Sequence, residues 1–220
     1  REITIAAREG GADPDANFRL RLAVQHARDA NMPSENIDRA IKRGSGQLEG
    51  PNLEDVTYEG YGPGGAAVLV EGLTDNRNRA FAEIRNAFTR GGGNLGESGC
   101  VGWLFEPRGI VTLEADGHDP DEIALQAIDA GAEDVQNDGG TLEVFTSPSE
   151  IERVRHALDA LHLKINNAEA TMVPKTTVSA DDDTALKVMK LVERLEELDD
   201  VQKVYTNLEI PDSVWEQLEK

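Results

Sequence analysis

Three basic side chains near the amino terminus have the type and spacing needed to contact phosphate. Arg39, Lys42 and Arg43 fall on the side of a predicted helix opposite Ile37 and Ile41, because helical residues advance by about 100° each. Guanidinium groups match the geometry of phosphate oxygens and form two parallel hydrogen bonds with them. These three residues are therefore candidates for nucleic-acid binding.

The preceding predicted helix carries a second basic row. Arg21, Gln25 and Arg28 line up at i, i+4 and i+7, on one face. For both helices the alternative interpretation is an ordinary solvated face with local ion pairs, such as Glu35 with Arg39. No recognition helix stands out, so the spacing does not predict base-specific reading.

A glycine-rich loop between two predicted strands offers aromatic faces. Tyr58 and Tyr61 come just before the turn at 62–65, where the sequence Gly-Pro-Gly-Gly lets another backbone approach closely. Exposed tyrosines stack on unpaired bases, so both are candidates for binding single-stranded nucleic acid. A hairpin turn with the two tyrosines packed beneath it is the alternative. The turn is no phosphate-binding loop of the nucleotide-triphosphate type, because its consensus occurs nowhere in the chain.

Two further arginines begin a predicted helix. Arg77 and Arg79 follow Asp75 and Asn76, and free backbone N–H groups at a helix start favour anions. Helix capping by Asp75 or Asn76 explains the same pattern. The segment 91–99 after this helix is rich in glycine and is predicted to be a mobile connector that either orders on a partner or simply ends the helix.

The residues that often carry catalysis do not form a catalytic pattern here. Cys100 lies at the start of a predicted strand, which favours a buried thiol. The four histidines lack metal-ligand spacing, and the aspartates at 181–183 are best interpreted as a helix cap. Trp103 and Trp215 are predicted to anchor the core and the tail. We therefore predict a protein that is not an enzyme and binds no metal.

The acidic charge is unevenly distributed. Residues 1–50 carry eight basic and eight acidic side chains, so the net charge of −20 comes from the other 170 residues. Phosphate contact should therefore come from the amino-terminal fifth.

A single cysteine, no secretory leader and no long apolar run predict a cytoplasmic protein without a membrane partner. The chain opens at Arg1 inside a helical pattern, so we expect a preceding segment.

The hydrophobic periodicity predicts an α+β protein. Three short helices lie within residues 1–50 and are followed by a linker at 44–52. Strands at 56–61 and 66–72 flank the turn, a helix follows, and strands at 101–105 and 110–114 are predicted to form a hairpin about 107–109. The block 118–176 reads as a second α/β unit, and a helix at 183–198, a strand at 202–208 and a helical tail end the chain.

Counting these elements predicts a discontinuous domain. The middle unit stops one helix and one strand short of a ferredoxin-like β-α-β-β-α-β arrangement, and the last helix and strand supply them. We thus predict an N-terminal three-helix domain at 1–50 and two small ferredoxin-like α/β domains. The first of these comprises 51–117 plus 177–220, and the second, 118–176, is inserted in it. Separate consecutive domains are the alternative.

Five stretches of the chain resemble the YebC/PmpR family. They are REITIAAREGGADPDANFRLRLAVQHARDANMP, PSENIDRAIKRGSG, YEGYGPGGAAVLVEGLTDNRNR, FTRGGGNLGESGCVGWLFEPRG and VYTNLEIP. The resemblance implies a helical domain followed by two α/β domains, no cofactor, and the role of a probable transcriptional regulator. Family members usually begin with a lysine-rich segment that resembles Gly-His-Ser-Lys-Trp and is missing here. Mitochondrial members are translational activators.

Two functions follow as expectations. The first is a DNA-binding transcriptional regulator. The second is a ribosome-associated translation factor that docks on structured RNA and assists synthesis of difficult sequences such as proline-rich ones. In either case the partner is nucleic acid (DNA, or ribosomal RNA within a ribosome), and the protein is expected to be monomeric.

Overall fold

The computed structural model describes residues 2–48, 53–211 and 214. The fold is α+β, with three helices followed by two four-stranded antiparallel sheets and their helices. In chain order the elements are α1 (Glu2–Gly10), α2 (Phe18–Asp29), α3 (Ser34–Gly44), β1 (Glu54–Tyr61), β2 (Ala67–Thr74), α4 (Arg77–Arg90), β3 (Asn94–Leu95), β4 (Phe105–Glu114), α5 (Pro120–Asp129), β5 (Asp134–Asp138), β6 (Thr141–Thr146), α6 (Ile151–Asp159), β7 (Ile165–Pro174), β8 (Val178–Ser179), α7 (Asp182–Glu196), β9 (Val201–Thr206) and β10 (Leu208–Glu209).

The chain forms two compact units. One contains residues 1–50 and 107–171, and the other contains residues 51–106 and 172–220. The three domains predicted from the sequence, with their boundaries, stay a prediction.

The three predicted amino-terminal helices are confirmed. Their apolar stripes meet in one core because alanine and branched residues recur at helical spacing on each. The buried side chains are Ile3, Ala6, Ala7, Leu20, Ala23, Val24, Ala27 and Ile37, and Ala40 and Ile41 pack partly buried against them. Ser34 is the first residue of α3 and does not cap it, and Pro33, whose side chain can neither donate nor accept a hydrogen bond, holds the cap position.

Asn17 links α1 to α2. Its Oδ1 accepts a hydrogen bond from the Leu20 backbone N–H at 3.0 Å and so caps α2. Its Nδ2 donates to the carbonyl oxygens of Ala6 at 2.7 Å and Gly11 at 2.9 Å. The Asn17 side chain is buried, so its amide obtains its hydrogen bonds from these three backbone groups and not from water.

The same unit contains a sheet of order β5-β6-β4-β7, with α5 and α6 supplying much of its core. Alternate residues of β4 and β6 point into this core, which includes Val111, Leu113, Leu142 and Val144. β5 and β6 form an antiparallel hairpin, with Asp138 opposite Thr141.

An arginine–aromatic contact joins α2 to α6. The Arg155 guanidinium carbon lies 4.2 Å from the centroid of the Phe18 ring, and the Arg155 side chain is only 5% exposed. Its charge is balanced by Glu152, whose Oε2 lies 2.8 Å from Nη2. Phe18 also packs against the core beneath β4 and β6. A cation over an aromatic face is attracted by the ring electrons, and more strongly where water is excluded.

The second unit has a sheet of order β3-β1-β2-β9. β1 and β2 form the predicted hairpin, with Glu54 opposite Thr74 and Tyr61 opposite Ala67. The turn between them contains Gly64 at φ 70°, which a residue with a Cβ rarely adopts. α4 and α7 cover one face of the sheet through Ile84, Phe88, Leu191 and Leu195. β9 pairs antiparallel with β2, with Val68 opposite Thr206.

The predicted hairpin of 101–105 with 110–114 is wrong. Residues 105–114 form the single strand β4, and 102–104 form a turn of 3₁₀ helix before it. Gly109 had indicated a turn, but it serves close packing, since an added Cβ would overlap the Ile151 side chain. Pro107 removes no hydrogen bond with β6, because pairing with β6 begins at Gly109. The helical tail around Trp215 and the linker residues 49–52 lie outside the described residues.

Substituting Asn17 tests the amino-terminal core. Asn17→Ala removes the cap of α2 and the side-chain donor to the buried Ala6 carbonyl, so we expect a loss of about 2 kcal/mol in the free energy of unfolding. Urea unfolding followed by circular dichroism measures it. Asn36→Ala, at an exposed position of α3, is the matched control. Equal stability of the two variants would contradict the role given to Asn17.

Candidate nucleic-acid interface

α3 presents a basic face. Ile37 is 3% exposed and points into the helical core, while Arg39, Lys42 and Arg43 are exposed. The local pair of Glu35 with Arg39 does not form within 4 Å, and among residues 2–48, 53–211 and 214 none of the three basic groups of α3 is in an ion pair. The three cations are thus available to an external anion.

The basic row on α2 is less uniform. Arg21 and Arg28 are both exposed. The Arg21 guanidinium carbon lies 5.6 Å from the centroid of the Phe18 ring, on the same ring that Arg155 contacts. Arg21 therefore has a local aromatic partner, which restrains its direction without removing its charge.

Arg77 and Arg79 have carboxylate partners. Arg79 donates through Nε and Nη2 to Asp200 at 3.1 and 2.9 Å, and through Nη2 to Asp75 at 2.7 Å. Asp200 is buried, so Arg79 also neutralises a carboxylate that the fold has taken out of water. Arg77 faces Glu54 at 3.6 Å. The cap of α4 is Asn76, whose Oδ1 accepts from the Arg79 backbone N–H at 3.1 Å.

The two tyrosines of β1 point to opposite faces of the sheet, because successive side chains of a strand alternate and Tyr61 is three residues after Tyr58. Tyr58 is half-buried against the core under α4, with its ring centroid 6.2 Å from that of Phe81. Burial is the main cause that raises its pKa. Tyr61 is 39% exposed, and its hydroxyl donates to the carbonyl oxygen of Cys100 at 3.1 Å. Of the two rings, Tyr61 is the more accessible to a base.

Glu59, between these tyrosines, holds the glycine-rich segment in place. Its carboxylate accepts hydrogen bonds from the backbone N–H groups of Gly99 at 2.7 Å, Val101 at 2.8 Å and Gly102 at 2.5 Å. Burial alone raises the pKa of Glu59, but these three donors outweigh it and the pKa lies below its ordinary value. Within the segment predicted to be a mobile connector, Asn94 and Leu95 pair with β1 as β3.

Trp103 was missed by the sequence analysis. It was predicted to be a core residue, which is wrong, because 66% of it is exposed. Its indole Nε1 donates to the carbonyl oxygen of Cys100 at 3.1 Å, the same oxygen that Tyr61 contacts. No local pattern marked Trp103 as exposed, because Val101 and Phe105, two residues away on either side, are buried.

The groups excluded from catalysis have structural roles or none. Burial, and then the charge of Glu59, raises the pKa of the half-buried Cys100 thiol, which disfavours the nucleophilic thiolate. Asp181 caps α7 as predicted, by accepting from the Thr184 N–H at 2.9 Å.

Over the described part of the chain, no cluster of three or more histidine, cysteine, aspartate or glutamate residues is arranged to hold a metal ion. Over the same residues, no helix combines the length and apolar character that crossing a bilayer requires.

Two family models match the chain. One, described as the TACO1/YebC protein N-terminal domain, matches residues 1–47, and the other, described as the TACO1/YebC second and third domain, matches residues 53–208. The chain belongs to the TACO1/YebC family. The predicted resemblance is thereby confirmed, and so is the prediction that the protein belongs to a non-enzymatic family.

Relatives of the TACO1/YebC family are similar over nearly the whole chain. A protein of Moorella thermoacetica named "Probable transcriptional regulatory protein" is 58% identical, over 100% of this chain and 88% of its own length. A relative of the same description from Sulfurihydrogenibium sp. is 56% identical over the same shares. The crystal structure of a conserved hypothetical protein, Aq1575, from Aquifex aeolicus is similar with a TM-score of 0.83 and 50% identity, over 96% of this chain and 87% of that one.

Substituting Glu59 tests the ordering of the glycine-rich segment. Because its pKa is below the value of about 4.3 in an unfolded chain, ionised Glu59 stabilises the fold above that pH, and the contribution is lost as the pH falls through the lower folded pKa. Glu59→Gln should cost about 2 kcal/mol of unfolding free energy at neutral pH and make stability less steep with pH below about 4.

Hydrogen exchange gives the local measurement. In Glu59→Gln the amides of Gly99, Val101 and Gly102 should exchange faster than in the parent protein. Glu97→Gln, an exposed change in the same segment, is the control and should leave them unaltered. If all three amides exchanged at the same rate in Glu59→Gln as in the parent protein, the Glu59 carboxylate could not be the group that orders the glycine-rich segment.

Proposed function

We propose that this protein is a non-enzymatic, nucleic-acid-binding regulator of gene expression that binds DNA. The observation that carries the proposal is the exposed basic face of α3, formed by Arg39, Lys42 and Arg43. The relatives named as probable transcriptional regulatory proteins support the same role.

The charge distribution favours a localised contact. Residues 1–50 are neutral in sum, and the rest of the chain carries the net charge of −20. Phosphates are repelled by the acidic excess and attracted by the cations of α3, with Arg21 and Arg28 of α2 as additional candidates. Binding of duplex DNA should therefore be weak away from the helical region and strongly dependent on salt.

Four candidates in the second unit have a secondary place in the proposal. Arg77 and Arg79 can reach phosphate only in competition with the carboxylates they already contact. Tyr58 is half-buried, and Tyr61 presents a ring to solvent. These residues would refine the fit of a bound strand more than they would supply affinity.

Reversing two charges on α3 tests the proposal. Lys42→Glu combined with Arg43→Glu should weaken binding to duplex DNA and reduce the slope of log K against log salt by about 2, since two phosphate contacts are lost. Fluorescence anisotropy with labelled duplex at several salt concentrations measures both quantities.

A matched control makes the same change of charge elsewhere. Lys190→Glu with Arg194→Glu alters two exposed basic residues of α7 and should leave the slope unchanged. Equal loss in both double variants would show that total charge, and no particular face, controls binding. An unchanged slope in the α3 variant would contradict the assignment of the interface.

A ribosome-associated translation factor is the second candidate function. It would dock on structured ribosomal RNA and assist synthesis of difficult sequences such as proline-rich ones. The acidic excess of residues 51–220 favours it, because such a body avoids nonspecific binding to duplex and still lets a small basic face enter a shaped RNA site.

Co-sedimentation separates the two candidates. If DNA is the target, the protein shifts promoter DNA in gels at physiological salt and stays out of the ribosomal pellet. If the ribosome is the target, the protein sediments with ribosomes, and Lys42→Glu with Arg43→Glu releases it. Binding to duplex alone would eliminate the translation role, and sedimentation without any gel shift would eliminate the DNA role.

We further propose a monomeric protein of the cytoplasm, with 118–176 as an inserted ferredoxin-like domain. The pairing of β9 with β2 supports an insertion, because these strands belong to one sheet although residues 75–200 separate them in the chain. Its consequence is that the strands at 67–74 and 201–206 must fold together.

A further inference from the structure

We propose that Trp103 and Tyr61 form a stacking site for unpaired bases of single-stranded nucleic acid, with Lys175 beside it to contact the phosphate. This inference rests on the proposed function, since it assumes that nucleic acid is the ligand, and it deepens that function by naming a base-binding site. It begins from Trp103, a large aromatic side chain that the fold leaves 66% exposed.

The polar edges of both rings are already satisfied. Trp103 Nε1 and Tyr61 Oη each donate to the Cys100 carbonyl oxygen at 3.1 Å, so the edges of the two rings are neighbours. An indole N–H donates one hydrogen bond and accepts none. What Trp103 still offers to a ligand is its π face, and a π face recognises any base without reading its sequence.

The site is fixed before a ligand arrives. The Glu59 carboxylate holds the N–H groups of Val101 and Gly102, immediately before Trp103. Leu104, immediately after it, donates its N–H to Val101 and accepts from the Lys175 N–H, at 2.9 and 2.8 Å. A ring held on both sides loses little conformational freedom on binding, which favours affinity.

The side chain of Lys175 places a cation beside Trp103. Lys175 is exposed, and its Nζ donates to the carbonyl oxygen of Trp103 at 3.0 Å. An ammonium group has three donors, so two are left for phosphate oxygens of a strand whose base stacks on the indole. Exposed aromatic rings beside a cation are the pattern that single-strand binding surfaces use. Duplex has its bases stacked internally and gains nothing from these rings.

Tryptophan fluorescence and affinity test the site in the full chain. Trp215→Phe removes the other tryptophan, so that emission reports Trp103 alone. A short single-stranded RNA of mixed sequence, or DNA of the same sequence, should quench this emission, and an abasic strand of equal length should quench it far less. In the parent protein, Trp103→Ala should weaken single-strand binding roughly tenfold.

Controls separate stacking from structure. Trp103→Phe should restore most of the affinity, since a phenyl ring also stacks. Phe81→Ala removes an aromatic residue that is 45% exposed on α4 and should change nothing. Duplex affinity should be the same in Trp103→Ala as in the parent, whereas the charge reversals on α3 should lower it.

These outcomes distinguish the two proposals. If the charge reversals on α3 weaken duplex binding and Trp103→Ala does not weaken single-strand binding, the stacking site is wrong and the proposed function stands. If Trp103→Ala weakens single-strand binding and the reversals do not, the stacking site stands and the α3 interface is wrong. Absence of quenching by any strand overturns the stacking site, as does quenching by a proline-rich peptide alone, because aromatic grooves also bind such peptides.

Discussion

The buried carboxylate of Glu59 is the interaction on which the second unit depends. It has left water, and three backbone N–H groups replace the hydration that it lost. These bonds tie the segment after α4 to β1 and direct Val101 and Phe105 onto the sheet, where they bury Ala67 and Leu69. A side chain of a strand thereby determines the path of a segment about 40 residues later.

Local patterns in the sequence predicted most of the elements. Helical spacing located the three amino-terminal helices, and the Gly-Pro-Gly-Gly turn located the hairpin of β1 and β2. The cap at Asp181 was also predicted, because an aspartate before a helical stripe acts on atoms three residues away. The family resemblance was predicted from five stretches between residues 1 and 211, and the two family models confirm it.

Errors arose where distant residues decide the structure. Gly109 was interpreted as a turn because its close contact with Ile151 cannot be read from its neighbours in the chain. Trp103 was assigned to a core on residue type alone, although its partner is a carbonyl fixed by Glu59. The candidate basic and aromatic residues remain predictions, but the geometry ranks them, since Arg79 faces two carboxylates and the cations of α3 face solvent.

The pairing of β9 with β2 has a consequence for the order in which the nascent polypeptide acquires its structure. The sheet of β4 to β7 is complete once residue 174 has been synthesised, whereas β2 waits for residues 201–206 before its second edge is covered. Until then one edge of β2 presents unpaired backbone N–H and C=O groups. Because β2 is almost entirely apolar, this edge is prone to pair with strands of other molecules. The sheet that begins near residue 54 can thus close only after residues 201–206 have been synthesised.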